Sequence, residues 1–230
     1  MKIAAAPLGP FETNAYLVVA ENGKDCCVVD APKDAGPLLL AEIKKQGLNL
    51  THLLITHGHW DHMCDGHHFA KAGAKVIAHK DDQQLIENIE AYRNRYQSMI
   101  PSLSDDDFRS VKVDRWVDDG DVVEACGFKF EIRHVPGHCP GSILFYAADQ
   151  KIAFTGDAIF KGSVGRTDLP NGDWNQLLTS IRARIYTLPD DVVLLPSETH
   201  WLGYRRGSAP TELLDVPELA ADEPLPNFGY

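Results

Sequence analysis

No pair among the five cysteines (Cys26, Cys27, Cys64, Cys126 and Cys139) has C-x-x-C spacing, and their number is odd. That usage argues against a disulfide-stapled secreted scaffold and for a reducing, cytoplasmic compartment. Long apolar runs are missing as well. Stretches such as Leu38–Ala41 and Leu53–Ile55 fall far short of a membrane span. Residues Met1 to Pro7 carry one charge and no sustained apolar stretch, so neither a signal peptide nor a membrane partner is expected. Positive charge is scarce: 22 Lys and Arg against 33 Asp and Glu give a net charge of −11. The basic residues gather only in pairs (Lys44-Lys45, Arg93/Arg95, Arg182/Arg184, Arg205-Arg206). These read as solvated helix faces, and nucleic acid is not an expected partner. Neither G-x-x-x-x-G-K nor G-x-S-x-G is present, which removes a phosphate-cradling loop and a serine nucleophile elbow.

What remains is the composition of a globular domain, 44% hydrophobic and 24% charged across 230 residues. Strands are expected at Tyr16–Ala20 and Cys26–Asp30, joined through Asn22-Gly23, and at Leu53–Ile55 and Lys75–Ala78. Further strands are expected at Val122–Ala125, Phe128–His134, Ile143–Ala147, Ile152–Thr155 and Val192–Leu195. Helical spacing is found over Pro37–Gln46, closed by Gly47, over His67–Ala72, over Gln83–Tyr96, and over Asn175–Tyr186 with Asp173 as its N-cap. Two β-rich halves with helices outside imply an α/β (α+β) domain of stacked sheets spanning residues 1–210. The stretch 211–230, rich in acid and proline, reads as an irregular tail.

The sharpest feature is Thr56-His57-Gly58-His59-Trp60-Asp61-His62, directly after an apolar strand. On extended backbone residues i and i+2 point the same way, so His57 and His59 can grip one ion, while Asp61 and His62 can face a neighbouring one. Imidazole and carboxylate at this density suit zinc, iron or manganese rather than calcium. Two later strands also end in donors: His134-Val-Pro-Gly-His138-Cys-Pro-Gly-Ser142 and Phe154-Thr-Gly-Asp157. His138, inside the turn, is the better ligand candidate, and His134, still on its strand, reads as a satisfied partner. A carboxylate at the position of Asp157 could bridge two ions. Cys139 reads as structural, and Cys64 is the one thiol near the motif.

These three motifs together resemble the metallo-β-lactamase superfamily. Gly9-Pro-Phe-Glu-Thr-Asn-Ala-Tyr16 and Phe160–Asp173 are similar to its short, bacterial glyoxalase II-like (hydroxyacylglutathione hydrolase-like) branch. The resemblance runs from about Leu8 to Leu195 and implies an αββα four-layer sandwich. It implies His57, His59 and His138 on one metal, Asp61 and His62 on a second, and Asp157 bridging, with zinc as the expected ion. It further implies hydrolysis of a thioester or related acyl bond in a small-molecule substrate, with Asp61 handling the proton and Arg166 contacting a substrate carboxylate. The family's usual aromatic two residues on is here Asp168. The usual histidine after the last strand is replaced by Pro196-Ser197-Glu198-Thr199-His200, leaving Glu198, His200 or neither as the last ligand. Persulfide dioxygenases, which share the Gly165-Arg-Thr-Asp168 stretch and hold one iron, give the alternative set His57, His138 and Asp157. A catalytically degenerate metal-binding protein is the remaining alternative.

Overall fold

The structure is a computed structural model and describes residues 1–198. The expected tail, 211–230, and His200 lie outside the described residues. The chain runs β1 (Lys2–Leu8), β2 (Thr13–Val19), β3 (Asp25–Val29), α1 (Ala35–Gln46), β4 (Asn49–Leu54), α2 (Trp60–Met63), α3 (Gly66–Lys71) and β5 (Lys75–His79). It continues through α4 (Gln83–Glu87), α5 (Arg93–Met99), β6 (Arg115–Val117), β7 (Val122–Ala125), β8 (Phe128–His134), β9 (Ile143–Ala147) and β10 (Ile152–Gly156). A small hairpin of β11 (Ile159–Phe160) and β12 (Ser163–Val164), then α6 (Trp174–Arg184) and β13 (Val193–Pro196), complete it.

Two sheets form, one ordered β1-β2-β3-β4-β5-β6 and the other β13-β10-β9-β8-β7. Alternation along the strands assigns each residue to a layer, because successive side chains point to opposite faces. Tyr16, Val18, Cys27, Val29 and Leu54 of the first sheet meet Phe130, Ile132, Phe145 and Phe154 of the second in one buried cluster. The opposite faces of β2, β3 and β4 (Leu17, Cys26, Val28, Leu53) pack with Leu39 and Ile43 of α1 and Phe69 of α3. On the far side, Leu144, Tyr146 and Ala153 pack under Leu177 and Ile181 of α6. The result is the expected αββα sandwich. Among the described residues no helix is long and apolar enough to cross a membrane.

Local signals explain the helix ends. Gly47 sits at φ 66°, closing α1 with its N–H on the carbonyls of Ile43 and Lys44, as a left-handed glycine cap does. Asp173 accepts a hydrogen bond from the Gln176 N–H and caps α6. The single helix expected over 83–96 is instead broken. Asn88 leaves helical backbone (φ −134°, ψ 36°), and a 3₁₀ turn (Ile89–Tyr92) separates α4 from α5. The break lets Ile86, Ile89 and Tyr96 all reach the core while the chain bends around it. Strands β1 and β6 and the one-turn α2 were not foreseen from the sequence.

Direction matters most for function. Strands β3, β4 and β5 run parallel to one another. In the second sheet β9 is antiparallel to both β8 and β10, and β13 is parallel to β10, so β8, β10 and β13 share one direction. Asp30, the 57–62 run, the loop leading to His138, Asp157 and Glu198 therefore all follow the C-terminal ends of their strands. They converge on one edge of the sandwich.

Candidate metal centre

Three imidazoles meet at that edge. His57 Nε2 lies 3.0 Å from His59 Nδ1, His59 Nδ1 lies 2.9 Å from His138 Nε2, and His138 Nε2 lies 3.2 Å from His57 Nε2. The ring centroids are 4.6–4.8 Å apart with planes at 82–88°, so the three nitrogens converge instead of stacking. Their outer nitrogens decide the protonation of two of them. His138 Nδ1 donates to the Arg166 carbonyl at 2.7 Å, which can only accept. His57 Nδ1 faces the Thr56 hydroxyl at 3.2 Å, whose own proton goes to Asp30, so the ring nitrogen donates. With Nδ1 carrying the proton, the inward Nε2 of neutral His57 is a bare lone pair, and His138 turns its Nε2 to the same point. Burial, followed by the neighbouring imidazoles, pushes the His57 pKa well down, which keeps that ring neutral. Bare nitrogens about 3 Å apart repel unless a cation lies between them. Tetrahedral ligation at about 2.0–2.1 Å would set them roughly 3.3 Å apart, close to what the chain already holds.

A second pocket adjoins the first. His62 Nε2 is 3.4 Å from Asp61 Oδ2 and 3.4 Å from Asp157 Oδ1, while Asp157 Oδ2 is 3.5 Å from His138 Nε2. Asp157 thus turns one oxygen to each pocket. His62 Nε2 and Asp157 Oδ1 are buried without a hydrogen-bond partner, an arrangement costly to bury unless something else satisfies it. Glu198 joins Asp61 and His62 within ligand distance of one another. Burial and then Asp157 and Asp61 push the Glu198 carboxyl up to about 9. Burial depresses His62, but Asp157, Asp61 and Asp30 outweigh it and hold the imidazole well above its ordinary pKa. The two shifts share one contribution, the carboxylates Asp157 and Asp61 crowded into a buried space. The donor set fits a pair of divalent cations.

Asp30 was not foreseen as part of this site. It follows β3, is fully buried, and accepts from the Thr56 N–H (2.8 Å), the Thr56 hydroxyl (2.8 Å), His62 Nδ1 (2.9 Å) and the Ser197 hydroxyl (2.8 Å). It holds His62 by Nδ1, which turns Nε2 toward the second pocket, and anchors the strand end that carries Glu198. The signal was present: Val28-Val29-Asp30 has the same form as Phe154-Thr-Gly-Asp157, an apolar strand ending in one carboxylate. The opening motif also gains a role. Thr13 donates to Asp61 Oδ2 at 3.1 Å, and Asn14 and Tyr16 donate to the Pro196 carbonyl at 3.2 and 2.6 Å. Asp30→Asn would turn an amide N–H₂ against donors and leave at least one unsatisfied, costing about 2 kcal/mol. The expected drop in Tm for a chain of this size is roughly 4–8 °C, read by thermal unfolding of the metal-free protein.

His134 donates from Nε2 to the Pro140 carbonyl and stays outside the cluster. It stacks on His79 at 4.0 Å and 16°, and with Asp81 these two rings form a separate group of donors away from the 57–62 run. Cys64 is buried, and burial pushes its thiol well above the ordinary range, which removes it as a reactive group. Arg166 stands at the rim, its guanidinium paired with Asp168 through two hydrogen bonds of 2.7 Å.

The chain is similar in sequence and fold to known proteins. The sequence profile of the metallo-beta-lactamase superfamily matches residues 8–196. The hydroxyacylglutathione hydrolase GloC of Haemophilus influenzae is 34% identical over 201 residues, covering 85% of this chain and 89% of that one. The human mitochondrial persulfide dioxygenase ETHE1 is 29% identical over 188 residues, covering 82% of this chain and 64% of its own. Among solved structures, TTHA1623 in a di-iron-bound form superposes with a TM-score of 0.70 at 32% identity, covering 85% of this chain and 91% of that one.

Proposed function

The chain belongs to the metallo-β-lactamase superfamily, and on that premise we propose that it is a two-metal hydrolase of the glyoxalase II type, cleaving a thioester or related acyl bond in a small molecule. The observation that carries the reading is the pair of adjoining pockets that share Asp157, with His62 Nε2 and Asp157 Oδ1 buried and unpartnered. In this reading His57, His59 and His138 would hold one ion and Asp61, His62 and Glu198 a second, with Asp157 turning one oxygen toward each pocket. Imidazole suits zinc or iron in the first pocket, and the oxygen-rich second pocket suits iron or manganese as well as zinc. Ions bound there supply a water of lowered pKa and a Lewis acid for the acyl carbonyl. Asp61, with 13% of its side chain exposed, is the carboxylate placed to take up and hold the proton. Thr13 fixes its orientation. The five described cysteines are all free thiols, which supports the proposed cytoplasmic setting.

Metal analysis combined with a panel of thioesters tests this reading. Two equivalents per chain and thioester turnover are expected, with both lost after dialysis against chelator. The relationship to ETHE1 favours a second reading, a mononuclear iron persulfide dioxygenase. One iron per chain with oxygen uptake on a persulfide substrate, and no thioester hydrolysis, would establish that one instead.

Substrate recognition is proposed at Arg166. A substrate carboxylate must compete there with Asp168, itself held down at about 2 chiefly by its hydrogen bond to Arg166. Arg166→Ala should therefore raise KM for a carboxylate-bearing thioester several-fold more than for a neutral one, and Asp168→Asn should lower it. Equal effects on both substrates would return Arg166 to an ordinary surface ion pair, which is worth little on its own.

A further inference from the structure

Asp82 takes no part in either pocket, yet it is 1% exposed and forms no ion pair among the described residues. Its carboxylate accepts from the Gly58 N–H at 2.7 Å through Oδ2 and from the Gly141 N–H at 2.7 Å through Oδ1. The Cys139 thiol donates to the same two oxygens at 3.1 and 3.2 Å. Gly58 is the residue between His57 and His59, and Cys139 and Gly141 follow His138. Upstream of His57 the two loops are already tied directly, by the Ile143 N–H on the Thr56 carbonyl at 3.0 Å. Between His57 and His59 the tie runs through Asp82.

We propose that Asp82 is a positioning residue that clasps the His57–His59 loop to the His138 loop, setting the separation of the three imidazoles before any ion arrives. The inference rests on the metal pocket proposed above. The close approach is built into the neighbouring sequence. A Cβ on Gly141 would lie 2.5 Å from Asp82 Cγ, and one on Gly58 would lie 2.9 Å from Asp82 Cβ. Only residues without side chains bring both peptide N–H groups to one carboxylate here. Asparagine has Asp82's shape but only one acceptor oxygen. Its N–H₂ would face either the Gly58 or the Gly141 N–H, donor against donor, and one loop must retreat. Groups that orient ligands from outside typically contribute 10–100-fold in metal affinity.

The test is a competition between the protein and a chromophoric chelator for zinc, with cobalt(II) substituted in parallel to read ligand geometry from its visible absorption band. Asp82→Asn should weaken zinc binding at the three-histidine pocket by about 10–100-fold and change the cobalt band, with far-UV circular dichroism unchanged. Gly141→Ala keeps the carboxylate and every donor while forcing the two apart, so it should weaken binding in the same direction and carries the test if Asp82→Asn does not fold. Parental zinc affinity and an unchanged cobalt band in the folded variant would overturn the clasp, even with a lowered Tm. Failure of the parent protein itself to bind metal would instead overturn the proposed pocket.

Discussion

Asp61→Asn is expected to lower thioester turnover by at least about a hundredfold, the lower end of what a positioned acid–base group contributes. The substitution preserves shape, so the Thr13 hydroxyl still finds an oxygen at 3.1 Å, and the neighbouring His62 keeps its bond to Asp30. What disappears is the negative charge and the ability to take up a proton. In the present structure burial opposes ionisation of Asp61, but the adjacent His62 and His59 imidazoles outweigh it and hold the carboxyl below the usual carboxylate range. Steady-state kcat and KM should be measured with metal content determined on the same sample. A fall in kcat at full metal content identifies proton handling. A fall that tracks lost metal identifies ligation as the greater part of the role. Near-parental kcat at full metal content would remove Asp61 from the chemistry.

How far the sequence alone reached can be judged from particular residues. The 57–62 run was legible because four of its donors are adjacent in the chain and follow an apolar strand, so spacing alone gives a geometry. His138 and Asp157 were legible for a related reason, each following a strand through a glycine. Stacked sheets with helices outside followed from the two β-rich halves, and the four-layer order from the family resemblance; the structure shows the strand alternation residue by residue, with Cys26 and Cys27 in different clusters on opposite faces of the first sheet. Asp30, although it ends an apolar strand as Asp157 does, was not read as a site residue, and neither was Asp82. Their partners stand 26 to 167 and 24 to 59 positions away, so only tertiary packing brings donors to them. The helix break at Asn88 was hidden because Ile86, Ile89 and Tyr96 keep an apolar spacing compatible with one continuous helix, and a single asparagine is a weak stop signal. Strand β1 escaped notice because Ala4, Ala5, Ala6 and Pro7 lack β-branched character, yet it pairs along its whole length with β2.

The largest expected effect on metal content falls on Glu198. The sequence left Glu198, His200 and an empty position open for the last ligand. Glu198 is 8% exposed and shares its pocket with Asp61 and His62, whereas His200 lies outside the described residues. The backbone leading into Glu198 is anchored at Ser197. Ser197 donates its hydroxyl to Asp30 and its N–H to the Gly156 carbonyl, and its own carbonyl accepts from the Asn14 N–H. A carboxylate buried beside Asp61 and Asp157 is strongly unfavourable without a cation. Glu198→Gln should therefore lose about one metal equivalent per chain after dialysis against chelator, and His200→Ala should keep the parental content. The expected loss is selective, because the three-histidine pocket does not use Glu198. Carboxylate is also a hard ligand, so the parent protein should hold manganese or iron in the second pocket better than Glu198→Gln does, relative to zinc. Loss of one equivalent in His200→Ala alone would transfer the role to that imidazole, and parental content in both variants would leave the second pocket with Asp61, His62 and Asp157 as its protein ligands.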